Sequence, residues 1–198
     1  MSACIEMIPV DKATGYLKEM YDKVKTPHGT VDNVMRVHSL RPRTMEGHVV
    51  LYRGVLHSPD NTLPLWLLEI VASYTSIINQ CAYSLTHHFA NARRLLQDER
   101  RADAIYEALA SRQPETQFTG RELAILRYAG KLTEAVGRMT PDDVAALRVA
   151  GCSDGEILEV NQVCAYFNYS NRLLNGLGVT TEGDVIGYYT DGAKEGDK

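Results

Sequence analysis

The chain has 198 residues, 44% of them hydrophobic and 23% charged, which excludes wholesale disorder and collagen-like structure and suits one domain over 1–198. Its 21 basic against 25 acidic side chains leave a net charge of −4, and Arg41-Pro42-Arg43, Arg93-Arg94 and Arg100-Arg101 lack the interleaved aromatics of a base-stacking platform, so nucleic acid is not an expected partner. No apolar run approaches the ~20 residues that span a bilayer, and Met1 to Met7 carries no basic stretch ahead of an apolar one, so no membrane partner is expected and the cytoplasm is the expected compartment.

Helical periodicity recurs along the chain and strand signals hardly appear. Leu17, Met20, Tyr21 and Val24 form one apolar helix face, ended by Pro27-His28-Gly29. A short piece over Val34 to Leu40 is broken by Arg41-Pro42. Met45, Val49, Tyr52 and Leu56 mark a further face, closed by Ser58-Pro59-Asp60. From Leu63 to Leu96 the period runs on either as one continuous helix or as two helices separated at Asn79-Gln80, and periodicity alone leaves both open. Ser111 to Glu115 reads as a loop. Three later helices start at capping boxes, Thr119 with Glu122, Thr140 with Asp143 and Ser153 with Glu156, with Pro141 at a first helical position. Gly137, Gly151 and Gly176 stand where C-cap glycines belong. From Val179 the pattern weakens, and 190–198 is expected to be a flexible tail. The fold class is all-α.

The four cysteines, Cys4, Cys81, Cys152 and Cys164, are widely spaced with no Cys-x-x-Cys pair. A disulfide scaffold and a cysteine zinc site are therefore not expected, and each reads as a small buried hydrophobe. Cys81 has neighbours that offer chemistry. On a helix over 81–88, Cys81, Ser84 and His88 fall within ~60° of one another, and Ser84 and His88 are i and i+4, in touching range. A helix break before Cys81 would place it at a helix N-terminus, where the dipole favours a thiolate. Glu69 is the one acid between Leu63 and Leu85 and needs a partner if buried. His87 falls off the face of His88, so the two are not expected to share a site. His87-His88 with Glu69 also lacks the i, i+4 histidine pairing of helical zinc sites, so no metal is expected. His28, His38, His48 and His57 read as surface or capping residues. Taken alone, the cluster fits either a reactive thiol served by a base and an acid or a set of satisfied core groups.

Glu69, Cys81 twelve positions on, Ser84 and then His88 resemble the core motif of AhpD-like alkylhydroperoxidases in the carboxymuconolactone decarboxylase-like superfamily. Ala150 to Glu159 and Tyr166 to Leu173 are similar to the longer, peroxidase-related branch. The resemblance covers roughly Ile5 to Val179. It implies an all-helical fold assembling as trimers or hexamers, a break at Asn79-Gln80, Glu69 as proton relay, His88 as base and Cys81 as the remaining thiol. Ser84 stands where the family has its second, peroxide-attacking cysteine, and a serine forms neither sulfenic acid nor disulfide.

The expected function is a thiol oxidoreductase, in which Cys81 attacks a hydroperoxide or another small electrophile and an external thiol reductant resolves the product. The alternatives are a non-redox enzyme, in which His88 and Glu69 act as acid and base on a small carbonyl, lactone or carboxylate, and a non-catalytic ligand-binding relative. With no glycine-rich phosphate loop, no flavin, haem or nicotinamide cofactor is expected.

Overall fold

The computed structural model describes residues 2–188, and the tail expected over 190–198 lies outside them. Among the described residues every long element is an α-helix. In order they are α1 (Gly15–Lys23), α2 (Asn33–Arg36), α3 (Pro42–Leu56), α4 (Leu65–Ile78), α5 (Ala82–Leu96), α6 (Glu99–Ala110), α7 (Gly120–Glu134), α8 (Pro141–Val149) and α9 (Asp154–Gly176). No helix among these residues is long and apolar enough to cross a membrane.

α4 is the centre. Its sequence, Leu-Trp-Leu-Leu-Glu-Ile-Val-Ala-Ser-Tyr-Thr-Ser-Ile-Ile, is apolar nearly all round, and every residue from Leu67 to Ser76 is buried. A helix without a polar face must be wrapped on all sides, and α5, α7 and α9 pack round it. Ile70, Val71, Ile125, Val160, Val163 and Phe167 share the resulting core. A second apolar cluster joins Leu17, Met20 and Tyr21 of α1 to Met45 and Val49 of α3.

Two helices, not one, span Leu63 to Leu96. The Cys81 N–H donates to the Ser76 carbonyl at 2.9 Å and the Gln80 N–H to that of Ile77 at 3.0 Å, the paired bonds of a Schellman termination. Gln80 takes the left-handed position usually held by glycine, at φ +53°, a conformation costing a side-chain-bearing residue roughly 1–2 kcal/mol. α9 offsets that strain. Asn79 donates through Nδ2 to Asn168 and Asn171, both at 3.1 Å, and its carbonyl accepts from Asn175 Nδ2 at 3.0 Å. Cys81 is therefore the last residue of one cap and the N-cap of α5.

The other boundary signals divide. Thr140 and Ser153 form complete capping boxes. Thr119 is the N-cap of α7 but accepts no side-chain capping bond, so the box expected with Glu122 is not made. Gly151 ends α8 at φ +93°, with the Gly151 and Cys152 N–H groups returning to Arg148 and Leu147. Gly176 is instead the last residue of α9, and Gly178, at φ +60°, makes the reversal two residues later. A β-carbon on Gly178 would sit 2.6 Å from Cys4 Sγ. Gly137 lies inside a short 3-10 turn, Val136–Arg138.

The capping difference is measurable. Ser153→Ala removes a made cap and should cost about 1 kcal/mol, a fall of ~2–4 °C in Tm. Thr119→Ala removes no capping bond and should cost less than half as much by the same thermal melt.

Candidate functional site

Glu69 sits in the middle of α4 at 0% exposure, and α5 supplies what a buried carboxylate needs. His88 Nδ1 lies 2.7 Å from Glu69 Oε2, and Asn91 Nδ2 donates to Oε1 at 3.1 Å. His88 and Asn91 are three apart on one face of α5, so one helix meets both oxygens. Asn91 is absent from the sequence-derived set, although its i, i+3 spacing from His88 was readable. The imidazole is held edge-on by Phe167, ring centroids 4.5 Å apart. With Nδ1 committed to Glu69, Nε2 is the ring nitrogen left for a ligand.

His88 and Ser84 line a partly enclosed cavity of about 80 Å³ between α3, α5 and α9, whose walls also include Tyr52, His48 and Tyr166. Cys81 stands behind that wall. Its Sγ lies 3.6 Å from Ser84 Oγ, it is 1% exposed, and it packs among Ala3, Val37, Tyr83, Leu174 and Val179. The four sequence-derived residues thus divide into a Glu69–His88 pair of which His88 lines the cavity and a Cys81–Ser84 pair of which Ser84 reaches it. Cys152 and Cys164 are buried, as a hydrophobe reading expects, whereas Cys4 is exposed. Cys164 contacts Thr133 and Thr75, at 3.2 and 3.7 Å, in a different apolar cluster from Cys81.

Three histidine expectations are corrected. His87 lines the same cavity as His88, because a cavity wall wraps round more of α5 than one helical stripe. It stacks on Tyr83, centroids 4.9 Å apart, and its Nε2 lies 3.5 Å from Asp184. His38 and His48 are buried, not surface residues. They form a file in which Tyr166 Oη lies 2.7 Å from His48 Nε2, His48 Nδ1 3.2 Å from His38 Nε2, and His38 Nδ1 2.9 Å from Thr44 Oγ1. Burial, with His38 adding to it, pushes His48 down to about 3. Burial lowers His38 as well. Only partners brought by α3 and α9 make such burial tolerable, and a single-helix pattern does not show them.

Asp32, Tyr83 and His87 form an acidic wall of the cavity, backed by Asp184, which contacts both Tyr83 and His87. Asp184 accepts the Tyr83 hydroxyl at 2.5 Å and the Asn33 N–H at 3.0 Å, so it caps α2 where Asp32 would be expected to. Burial first, then the Asp184 charge, pushes the Asp32 carboxyl up to about 6. Burial and Asp184 likewise raise Tyr83. Among the described residues no group of three or more His, Cys, Asp or Glu side chains is arranged to hold a metal ion.

No protein-family model and no curated protein matches the chain. Solved structures do. An alkylhydroperoxidase AhpD core from Ralstonia eutropha JMP134, an uncharacterized peroxidase-related protein, is 22% identical over 93% of this chain and 94% of its own, with a TM-score of 0.80. A peroxidase-related protein from Silicibacter sp. TM1040 is 21% identical over 92% and 93%, TM-score 0.79. The debrominase Bmp8, solved as a cysteine-to-alanine variant with 2,3,4-tribromopyrrole, is 15% identical over 89% and 90%, TM-score 0.72. The chain has the all-α fold of the AhpD core, as its motif resemblance implied.

The acidic wall makes a pH prediction. Folded Asp32 holds its proton to about pH 6, against an ordinary value of 3.8. Between those limits the native state binds more protons than the unfolded chain, so this group's contribution to stability falls as pH rises. Asp32→Asn stays neutral throughout. In denaturant melts its stability relative to wild type should therefore increase from pH 4 to pH 7, and a pH-independent difference would refute the assignment.

Proposed function

We propose that this chain is an enzyme in which the Glu69–His88 pair moves a proton at a small, largely apolar substrate held in the cavity. The observation that carries the reading is the 2.7 Å contact between His88 Nδ1 and a fully buried carboxylate. That contact fixes the ring and turns Nε2 to the ligand. A positioned imidazole of this kind serves as general base or acid, an effect typically worth 10²–10⁴ in rate. Tyr52, Tyr166 and Val49 give the cavity apolar walls, which suits a small carbonyl, lactone or carboxylate with a compact hydrocarbon body. The likeness to a debrominase adds halogenated small rings to the compounds worth assaying.

A second reading is a peroxidase-related thiol oxidoreductase. It is favoured by the 3.6 Å contact of Cys81 Sγ with Ser84 Oγ on the cavity wall and by the likeness to peroxidase-related folds. Here the Cys81 thiolate attacks a hydroperoxide lodged beside Ser84, the O–O bond breaks to release the alcohol, and the resulting sulfenate is returned to the thiol by two equivalents of an external thiol, which leave as a disulfide with loss of water. We place it second because Cys81 is 1% exposed. The trimeric or hexameric assembly implied by the motif goes with either chemistry, and light scattering on the purified chain measures it.

The two readings separate on variants. Against a panel of cumene hydroperoxide, γ-butyrolactone and a bromopyrrole, turnover should fall about 10²–10⁴-fold in His88→Ala, while Cys81→Ala stays within about threefold of wild type. Loss of turnover in Cys81→Ala, together with a sulfenate on Cys81 of the wild-type protein by mass spectrometry after mild peroxide, would establish the thiol reading instead.

A further inference from the structure

Asn91 bonds in two directions. Its Nδ2 donates to Glu69 Oε1 at 3.1 Å, and its Oδ1 accepts the Tyr188 backbone N–H at 2.7 Å. A backbone N–H can only donate, so the amide has one orientation, with Oδ1 toward the C-terminal segment and Nδ2 toward Glu69. Turned end for end, it would set oxygen against carboxylate and NH2 against N–H. Asn91 is 2% exposed, so both of its ends depend on protein partners. The segment that brings Tyr188 is fastened on its own account. Asn33 Nδ2 donates to the Thr180 and Glu182 carbonyls at 2.9 and 3.0 Å, and Asp184 accepts from the Tyr83 hydroxyl and the Asn33 N–H. The chain then crosses α5 at Gly187, whose φ is +86°. A β-carbon there would lie 3.3 Å from Asn91 Oδ1 and 3.7 Å from the β-carbon of Ala90. The crossing places Tyr188 on the wall of the cavity that His88 lines.

We propose that the C-terminal segment Asp184–Tyr188 is a working part of the Glu69–His88 site, in which the Tyr188 N–H fixes the amide of Asn91, a positioning residue, and Asn91 holds Glu69 with one oxygen toward itself and the other toward His88 Nδ1. The two contacts of Glu69 are then made together, and the ring of His88 is aimed by an arrangement that ends in the main chain 97 residues away from Asn91. With the segment unseated, Asn91 turns freely about its last bond and Glu69 loses the donor that fixes its second oxygen. Seating of the segment and alignment of the pair are thus coupled, and such coupling acts equally in both directions. The inference rests on the proton-transfer reading, and it adds the element of the chain that readies the pair.

Two magnetic-resonance measurements on the full chain, one in each direction, test it. Gly187→Ala alters neither Glu69 nor His88, but it forces a β-carbon into a left-handed backbone and against Asn91. The His88 Nδ1 signal in 1H–15N spectra of the labelled protein should shift in this variant. Once Asn91→Leu has removed the link, adding Gly187→Ala should shift it no further. In the other direction, Glu69→Gln weakens the charge-assisted bond from Asn91. Hydrogen exchange of the Tyr188 amide should then quicken about three- to fivefold, while the Asn33 amide, bonded to Asp184, keeps its wild-type rate. An unmoved His88 signal in Gly187→Ala overturns the proposal. So does wild-type exchange at Tyr188 in Glu69→Gln, or equal quickening of Tyr188 and Asn33, which is general loosening of the fold. Neither measurement involves turnover, so a failure here is told apart from a failure of the proton-transfer reading, which shows in the rates of the His88 variant.

Discussion

A carboxylate with no exposed surface, in the most buried helix of the molecule, is the constraint round which the rest is arranged. Removing an ion from water costs several kcal/mol even after relaxation, and within α4 the nearest hydroxyl on the same face, Ser73, bonds the Glu69 backbone carbonyl at 2.8 Å and not its carboxylate. The partners come from α5, through His88 and Asn91. For α5 to present them, the chain must reverse just after Ile78, which is why Gln80 is held in a left-handed conformation and why three asparagines of α9 grip Asn79. Strain at the turn and order at the site are two ends of one arrangement.

The same reversal fixes the relation of Cys81 to Ser84. As N-cap of α5, Cys81 faces the apolar cluster formed by the N-terminal segment and the end of α9, and Ser84, one turn on, reaches the cavity. A serine at this boundary gives the wall a hydroxyl and leaves the sulfur one layer deeper. His88 and Ser84 therefore meet the cavity directly, and the Cys81 sulfur lies behind Ser84.

The cavity meets two electrostatically different groups of residues. At one, the His88 imidazole is bonded to the buried Glu69 carboxylate. At the other, Asp32 is crowded by Asp184, with burial weakening its acidity, and Tyr83 and His87 share the same acid. Tyr166, also on the cavity wall, is bonded to a buried file of His48 and His38 that ends at Thr44.

The helical class, the capping boxes at Thr140 and Ser153, the reversal at Gly151 and the spacing that brings Ser84 and His88 to one face were all legible, because each is a local property of backbone hydrogen bonding and a 3.6-residue period. Glu69 was legible as a problem, an acid in an apolar run, and Asn91 could have been read from its spacing. The choice between one helix and two at Asn79-Gln80, the depth of Cys81, the burial of His38 and His48 and the sharing of a cavity by His87 and His88 were decided only in three dimensions. In each case the energy that decides comes from a residue far away in the chain, Asn168 and Asn171 for the turn, Tyr166 for the histidine file, Asp184 for the acidic wall. Periodicity reports which residues share a face, and only packing reports what that face meets.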